Sequence, residues 1–253
     1  MKLRTIKAVI GGSLIAMMSV PSLNAAELKY TFGSIKAGYA NWDMGLEDTE
    51  RGSLWKIVGD YGAAFDKGEF YSFYEYNRFD HPTDTRNVSL MASGHYRINQ
   101  SDYTVFGKVY GSIENKWGDE LNTMLGFGYL GWQNQQGFFK PFLAIHELSS
   151  DYTSATHGSA NGNNGYVLGW TAAYNFNLAG ENFALSNWNE FEIDRNEAYA
   201  EQQYSDFGIN GGLTLTWKMT PHFSTNVTYR YFQDKLGYKG WGDQLIFLAG
   251  YHF

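Results

Sequence analysis

The sequence contains no cysteine and only 4 prolines among its 253 residues. Without cysteine the chain has neither disulfide crosslinks nor thiolate ligands for zinc, so its stability must come from a large domain or a closed sheet. It also lacks the HExxH and GxxxxGK motifs, and we therefore predict no metal site and no cofactor. Basic residues are fewer than acidic ones and the formal net charge is -7, which argues against a nucleic-acid polymer as a partner.

Long apolar runs are also absent, with one exception near the start, AVIGGSLIAMMSV at residues 8–20. Three basic residues precede this run and the small residues of PSLNAA follow it. This is the pattern of a secretory signal peptide, and we predict that residues 1–25 are removed by cleavage after Ala25 or Ala26. The run is shorter than the roughly 20 residues that a membrane-spanning helix needs. The remainder, residues 26–253, is predicted to form one domain.

Aromatic residues, in contrast, make up 18% of the chain and glycine is plentiful at 29 residues, yet the mean hydropathy is polar at -0.40. This combination is typical of a transmembrane β-barrel, whose strands alternate between lipid-facing and water-facing side chains. In YVLGWTAAYNFNL, apolar residues occupy the even positions from Tyr166 to Leu178, and small or polar residues such as Asn175 lie between them. Three segments are ambiguous in phase: FYSFYEYNRF, FFKPFLAIHEL and LSNWNEFEID.

About twelve such segments follow one another, from roughly Lys29–Trp42 to Asp243–Phe253. The connections alternate between long ones, including SSDYTSATHGSANGNNG and LGYKGWG, and tight turns, including AGEN and NQQG. We therefore predict an all-β fold: a transmembrane antiparallel β-barrel of about 12 strands, with long extracellular loops and short periplasmic turns. The alternative, a soluble β-sandwich, does not explain the alternating connections.

The last segment, LIFLAGYHF, ends on Phe253. Its odd positions are predicted to face lipid, and the strand must pair with the first one to remove the edge of the barrel. A terminal aromatic of this kind resembles the signal that guides outer-membrane barrels to their assembly machinery. We therefore expect that machinery and outer-membrane lipid, including lipopolysaccharide, as partners.

The same alternation places polar and aromatic side chains on the inner wall. Charges of both signs, such as Lys56, Asp60, His95 and Arg97, suit a water-filled pathway, although they could form a closed plug. Aromatics could stack flat solutes for about 1–3 kcal/mol each, or they could simply fill a small barrel. The predicted substrate-binding residues are Tyr71, Phe73, Glu75, Phe106, Lys108, Tyr110, Trp132, Trp188, Glu190, Arg230 and Phe232.

His157 and Ser159, in THGSAN, are the one pairing that suggests a serine hydrolase. They lie in a loop rich in glycine and asparagine, whereas a nucleophile needs rigid support. We therefore predict no catalytic residues and no enzyme activity. A lipid-hydrolysing barrel enzyme and a plugged barrel for adhesion or structure stay open as alternatives.

The tail TYRYFQDKLGYKGWGDQLIFLAGYHF resembles the C-terminus of the Tsx family of nucleoside-specific outer-membrane channels and its Vibrio relatives. The resemblance rests on a strand with paired aromatics, on Gly240-Trp241-Gly242, and on an apolar strand that ends in Gly-Tyr-x-Phe. The segments GEFYSFYEYNRFD and LSNWNEFEID are similar to aromatic strands of that family.

This resemblance implies a monomeric twelve-stranded barrel in the outer membrane of a Gram-negative bacterium. It implies passive diffusion of nucleosides and deoxynucleosides along aromatic and ionisable side chains, and exposed loops that can act as phage receptors. An oligosaccharide or general small-solute porin is the alternative within transport, because sugars also stack on aromatics.

Overall fold

A computed structural model describes residues 26–44, 52–114 and 118–253. The predicted signal peptide, residues 1–25, lies outside the described residues. The strands are β1 (Leu28–Met44), β2 (Leu54–Phe65), β3 (Gly68–Asn77), β4 (Asn87–Arg97), β5 (Tyr103–Glu114), β6 (Glu120–Tyr129), β7 (Gly137–Ser150), β8 (Thr153–Ser154), β9 (Gly158–Ser159), β10 (Gly162–Leu178), β11 (Glu181–Ile193), β12 (Gly208–Lys218), β13 (Phe223–Lys235) and β14 (Tyr238–His252).

Twelve of these strands form one closed antiparallel barrel, which confirms the predicted fold class. The two-residue strands β8 and β9 form a separate hairpin in the connection between β7 and β10. A seven-residue helix, α1 (Glu197–Gln203), lies between β11 and β12, and a 3-10 turn, Thr83–Thr85, lies between β3 and β4. Within the described ranges, no helix is long and apolar enough to cross a membrane.

Closure of the barrel depends on the pairing of β1 with β14. Their register runs from Ser34 opposite His252 to Asn41 opposite Leu245. Phe253 extends the ladder, because its backbone N–H donates to the Gly33 carbonyl at 3.1 Å. In hydrocarbon an unpaired backbone group has no water to bond, so a spanning sheet is stable only when its two edges meet.

Side chains alternate between the two faces of the wall as the sequence pattern predicts. On β14, Phe247 and Tyr251 are 48% and 46% exposed on the outer face, whereas Ile246 is buried on the inner face. Strand register resolves two of the ambiguous segments. Phe73 lies opposite the lumen-facing Asp60, and Trp188 lies opposite Thr171, so both aromatics are on the inner wall.

Two connections differ from the prediction. The expected last long loop, LGYKGWG, is instead the two-residue turn Leu236–Gly237, followed directly by β14. Both residues have positive φ, at 62° and 72°, as a type I′ hairpin turn requires, and the Asp234 carboxylate accepts the Gly240 N–H at 2.7 Å. The connection between β6 and β7, predicted as the tight turn NQQG, spans residues 130–136.

Several aromatic rings of the inner wall lie directly over glycines of the adjacent strand. Phe232 faces Gly242, and Phe142 faces Gly169. A Cβ atom at Gly242 would be 2.3 Å from Phe232 Cζ, and one at Gly169 would be 2.5 Å from Phe142 Cζ. These rings therefore lie flat along the wall and do not extend across the lumen.

Replacing Gly242 with alanine should destabilise the barrel by about 1–3 kcal/mol, because the added Cβ forces the buried Phe232 ring away from the wall. Urea unfolding of the protein in detergent micelles, followed by its electrophoretic mobility, measures this change.

The matched control is Gly59→Ala, on the outer face of β2, where an added Cβ has no neighbour within 4 Å. Its effect should stay within about 0.5 kcal/mol, as for an ordinary surface change. Equal destabilisation by both variants would contradict the packing argument.

Candidate functional site: a lumen narrowed by ion pairs

The lumen is wider at the end that carries the short turns, the start of β1 and the end of β14. There, inward-facing Asn175, Asn177 and Lys218 are exposed. Toward the other end of the same wall, inward-facing Val167 and Glu192 are 0% and 3% exposed. With both termini assigned to the periplasm, as is usual for outer-membrane barrels, the narrow half is the extracellular half.

Two ion pairs cross the lumen between strands that are not neighbours. Lys140 Nζ on β7 lies 2.5 Å from Glu69 Oε2 on β3, with β4, β5 and β6 between these strands. Lys108 on β5 pairs with Glu190 on β11, with β6, β7 and β10 between them. All four side chains are largely shielded from solvent, which an ionised group tolerates only when it is paired. These two pairs divide the cross-section of the lumen.

Other ion pairs lie along the wall. Lys36 pairs with Asp60 on the neighbouring strand, and Ser34 Oγ donates to the same carboxylate at 2.8 Å. Lys56 Nζ lies 3.0 Å from Glu75 Oε1, also on a neighbouring strand. Pairing of this kind removes net charge from the wall without reducing the open cross-section.

Part of the inner wall is covered by packed apolar side chains, which the sequence pattern did not predict. Phe106 and Phe142 stack with ring centroids 4.0 Å apart, in a cluster with Met124 and Val167. Phe106 faces inward as predicted, but it is 3% exposed and its ring is covered. The expectation that Phe106 offers an open stacking face is therefore wrong.

Phe232 is likewise inward-facing but fully buried. It packs against Trp42, with ring centroids 6.0 Å apart, and against Ile246 and the Gly242 backbone. Because the ring lies flat in this cluster, the predicted open stacking face is also absent at Phe232.

Trp132 is not on the inner wall, and its predicted position is wrong. Strand β6 ends at Tyr129, so the alternation does not continue to Trp132. The Trp132 ring instead packs on the outer side against Tyr129 and Phe139, at centroid distances of 5.0 and 5.7 Å, and is 57% exposed. It belongs to the aromatic girdle at the periplasmic interface.

The other predicted aromatics do line the lumen. Tyr71 stacks on Phe32 at 6.2 Å, and Phe73 lies 6.4 Å from Tyr110. Trp188 lies beside Gly212, where a Cβ would be 2.6 Å from its Nε1. All four predicted rings, those of Tyr71, Phe73, Tyr110 and Trp188, keep part of their surface open.

Among the described residues, the extracellular half is least filled on the side of β1 to β5, β13 and β14. Here a cavity of about 70 Å³ is lined by Trp42, Lys56, Glu75, Asn87, Tyr110 and Arg230, among others. Three of these residues come from the predicted set, Glu75, Tyr110 and Arg230. Trp42 and Asn87 were missed, although extending the alternation of β1 and β4 would have placed both inside.

Three buried polar atoms of this cavity lack a hydrogen-bond partner in the described part of the protein: Trp42 Nε1, Arg230 Nε and Asn87 Oδ1. The Arg230 guanidinium lies over the Trp42 ring at 5.7 Å, and its Nη2 donates to Asn210 Oδ1 at 3.5 Å. Buried polar groups nearly always have a hydrogen-bond partner. Two donors and one acceptor without a partner among the described residues therefore indicate that water or a solute forms hydrogen bonds with them.

His157 and Ser159 are each bonded to a different residue. His157 Nδ1 lies 3.0 Å from Glu197 Oε2, and Ser159 Oγ accepts a hydrogen bond from the Asn161 amide. The partner of His157 thus lies in α1, and the partner of Ser159 lies in the same connection as Ser159.

The ion pair between Lys108 and Glu190 should govern ion selectivity, because a charge at a constriction selects its counter-ion. Lys108→Met leaves the Glu190 carboxylate unpaired and should shift the reversal potential in a KCl gradient toward cation selectivity. Glu190→Gln should shift it toward anion selectivity.

The double variant Lys108→Met/Glu190→Gln removes both charges, and its reversal potential should return toward the wild-type value. Lys239→Met is the control, since it removes one positive charge from an exposed site at the extracellular end of β14. If Lys239→Met shifts the potential as much as Lys108→Met, the pair does not control selectivity.

Comparison with solved structures finds other membrane barrels at low similarity. The KdgM porin in complex with disordered oligogalacturonate is 9% identical, with a TM-score of 0.45, and the match covers 88% of this chain and 98% of that one. The COG4313 outer membrane channel from Pseudomonas putida F1 is 12% identical, with a TM-score of 0.42 and coverage of 93% and 100%. At these values the similarities carry no functional argument.

Comparison with protein families is decisive. The sequence profile of the nucleoside-specific channel-forming protein Tsx matches residues 57–253, which is well over half of the chain. This span contains eleven of the barrel strands in full or in large part, together with the C-terminal and aromatic segments that resemble the family. The chain is a member of the Tsx family of channel-forming outer-membrane proteins.

Proposed function

We propose that this outer-membrane channel passes nucleosides and deoxynucleosides by passive diffusion, along the side of the lumen that carries the Trp42–Arg230 cavity. The observation that carries the proposal is the set of three polar atoms on this cavity that have no hydrogen-bond partner within the described ranges, beside the rings of Trp42 and Tyr110. Membership of the nucleoside-specific Tsx family supports the same solute class.

The chemistry of the cavity suits a nucleoside. A base has a flat π-face, and stacking on an aromatic side chain contributes about 1–3 kcal/mol. Base edges and ribose hydroxyls supply both donors and acceptors, which match the free Asn87 Oδ1 and the free N–H groups of Trp42 and Arg230. Lys56 is already paired with Glu75, so this lysine does not require a negatively charged solute.

The cavity of about 70 Å³ is much smaller than the roughly 300 Å³ or more of a typical ligand pocket. Passage of a nucleoside therefore requires the long side chains of Lys56 and Arg230 to move aside. A solute that must first displace side chains binds weakly. Weak binding suits transport, because the solute has to leave the site again.

The family resemblance also implies an oligomeric state, a location and a role for the loops, and we propose these for this protein. The protein would be a monomer in the outer membrane of a Gram-negative bacterium, and its extracellular loops would be the surface available to a phage. Orientation in living cells can be read from antibody access to a tag inserted in the connection between β7 and β10.

Adenosine should reduce the ion current of the wild-type protein in planar bilayers in a saturable manner. Tyr110→Ala should weaken the apparent affinity for adenosine by about 5- to 150-fold, since it removes one stacking face. It should change ion conductance much less, because the replaced side chain carries no charge.

The control is Trp132→Ala, which removes an aromatic from the outer face and should leave adenosine block unchanged. Equal weakening by both variants would contradict the location of the site. Block by linear oligosaccharides but not by adenosine would indicate a sugar channel, and a protein that inserts but does not conduct would be a plugged barrel.

A further inference from the structure

The extracellular mouth is partly closed by the segment that joins β11 to β12. Helix α1 of this segment directs Ala198, Tyr199 and Gln203 into the protein, and Tyr199 is 0% exposed. Tyr199 packs in a cluster with Leu148 of β7 and Ala160 of the preceding long connection. A helix that connects adjacent strands thus fills space over the barrel interior.

The Tyr199 hydroxyl links nearly opposite walls. It donates to the Glu120 carboxylate of β6 at 3.3 Å and accepts from Lys235 Nζ of β13 at 2.8 Å. Four strands, β7, β10, β11 and β12, lie between β6 and β13 in the closed order. Burial raises the pKa of the Tyr199 hydroxyl well above its usual value, so it keeps the proton that it donates to Glu120.

Buried charges hold this segment in place. Arg195 Nε donates to Glu192 Oε2 at 2.9 Å, and Lys235 pairs with the other oxygen of the same carboxylate. Arg195 Nη1 also donates to the backbone carbonyls of Ser205, Phe207 and Asp234, at 3.1, 3.2 and 2.7 Å. The two ends of the segment are thereby tied to each other and to β13.

The helix itself is capped and supported from outside. The Asn196 side chain accepts the Tyr199 N–H at 2.8 Å, and its amide donates to the Ala160 carbonyl. Glu201 accepts from Ser154 Oγ at 2.6 Å and from Thr156, in the β8–β9 hairpin. These two hydroxyls lower the pKa of Glu201, so the carboxylate stays ionised and bonded to the hairpin.

Below the helix, the same half of the mouth is filled by a polar layer. His146 is 0% exposed, with its Nε2 2.8 Å from Asn122 Oδ1 and its Nδ1 3.2 Å from the Asn164 amide. Together with Tyr199, this layer occupies the side of β6, β7, β10 and β11. The Trp42–Arg230 cavity lies on the other side of the mouth.

We propose that residues 194–207 form a fixed partition across the extracellular mouth, and that the Tyr199 ring is the specificity-determining group that sets the size limit for solutes. The partition confines entering solutes to the side of the Trp42–Arg230 cavity and excludes bulky ones before they reach the inner ion pairs. This inference rests on the channel role alone and does not require nucleoside selectivity.

Tyr199→Cys tests the proposal, because the chain contains no other cysteine for a thiol reagent to modify. Replacing the ring with a small side chain should raise single-channel conductance above the wild-type value. Benzyl methanethiosulfonate, added from the extracellular side, should then restore an aromatic group at this position and reduce the current again. An unchanged conductance in the variant, or no response to the reagent, would overturn the proposal.

Two matched variants separate ring volume from other effects. Tyr199→Phe keeps the ring and loses only the hydroxyl, so it should raise conductance less than Tyr199→Cys does. Tyr204→Asn changes an exposed residue at the left-handed end of the same helix, where asparagine is tolerated, and should have no effect. A conductance increase with Tyr204→Asn equal to that with Tyr199→Cys would show a general loosening of the loop.

Wild-type protein provides a test that does not depend on folding of a variant. Polyethylene glycols of graded size, added to one side of an oriented bilayer, reduce the current only if they enter the lumen. The largest polymer that enters from the extracellular side should be smaller than the largest that enters from the periplasmic side. Equal size limits for polymer entry from the two sides would contradict the proposed partition, whatever the response to adenosine.

Discussion

The hydrogen-bonded ladder that joins β1 to β14 is the constraint on which the rest of the structure depends. A sheet in hydrocarbon cannot leave backbone groups unpaired, so all twelve strands must meet in one ring. Closure brings Phe253 against Gly33 and assigns each strand one face for lipid and one for the lumen. The polar mean hydropathy and the aromatic content of the chain are consequences of this division.

Inside the ring, limited space decides how charged and aromatic side chains are arranged. A lumen this narrow gives little hydration, so its lysines and carboxylates pair, either along the wall or across it. Rings such as Phe232 lie over glycines and leave the passage clear. With Tyr199 and its polar partners filling one half of the mouth, the space left by the residues that the structure describes lies beside Trp42 and Arg230.

The period-two pattern was sufficient to predict the barrel and the inward position of Phe106, Tyr110 and Phe232. It left the phase of Tyr71, Phe73 and Trp188 ambiguous, and strand register resolved it. It failed at Trp132, because a pattern read past the end of a strand keeps alternating where the chain turns away. It also could not show that Phe106 and Phe232 are covered, since their partners Phe142 and Trp42 are on other strands. The α1 partition was missed for the same reason, as Tyr199 contacts residues from β6, β7 and β13.

The sequence by itself determined the fold class, the strand count and the family, because all three follow from local alternation and from a contiguous tail motif. Only the tertiary structure decided which inward residues are open, which are paired and which half of the mouth is closed. The physical reason is that ring closure brings together strands far apart in the chain. Contacts across a lumen, such as Lys108 with Glu190, leave no periodic signal in either strand.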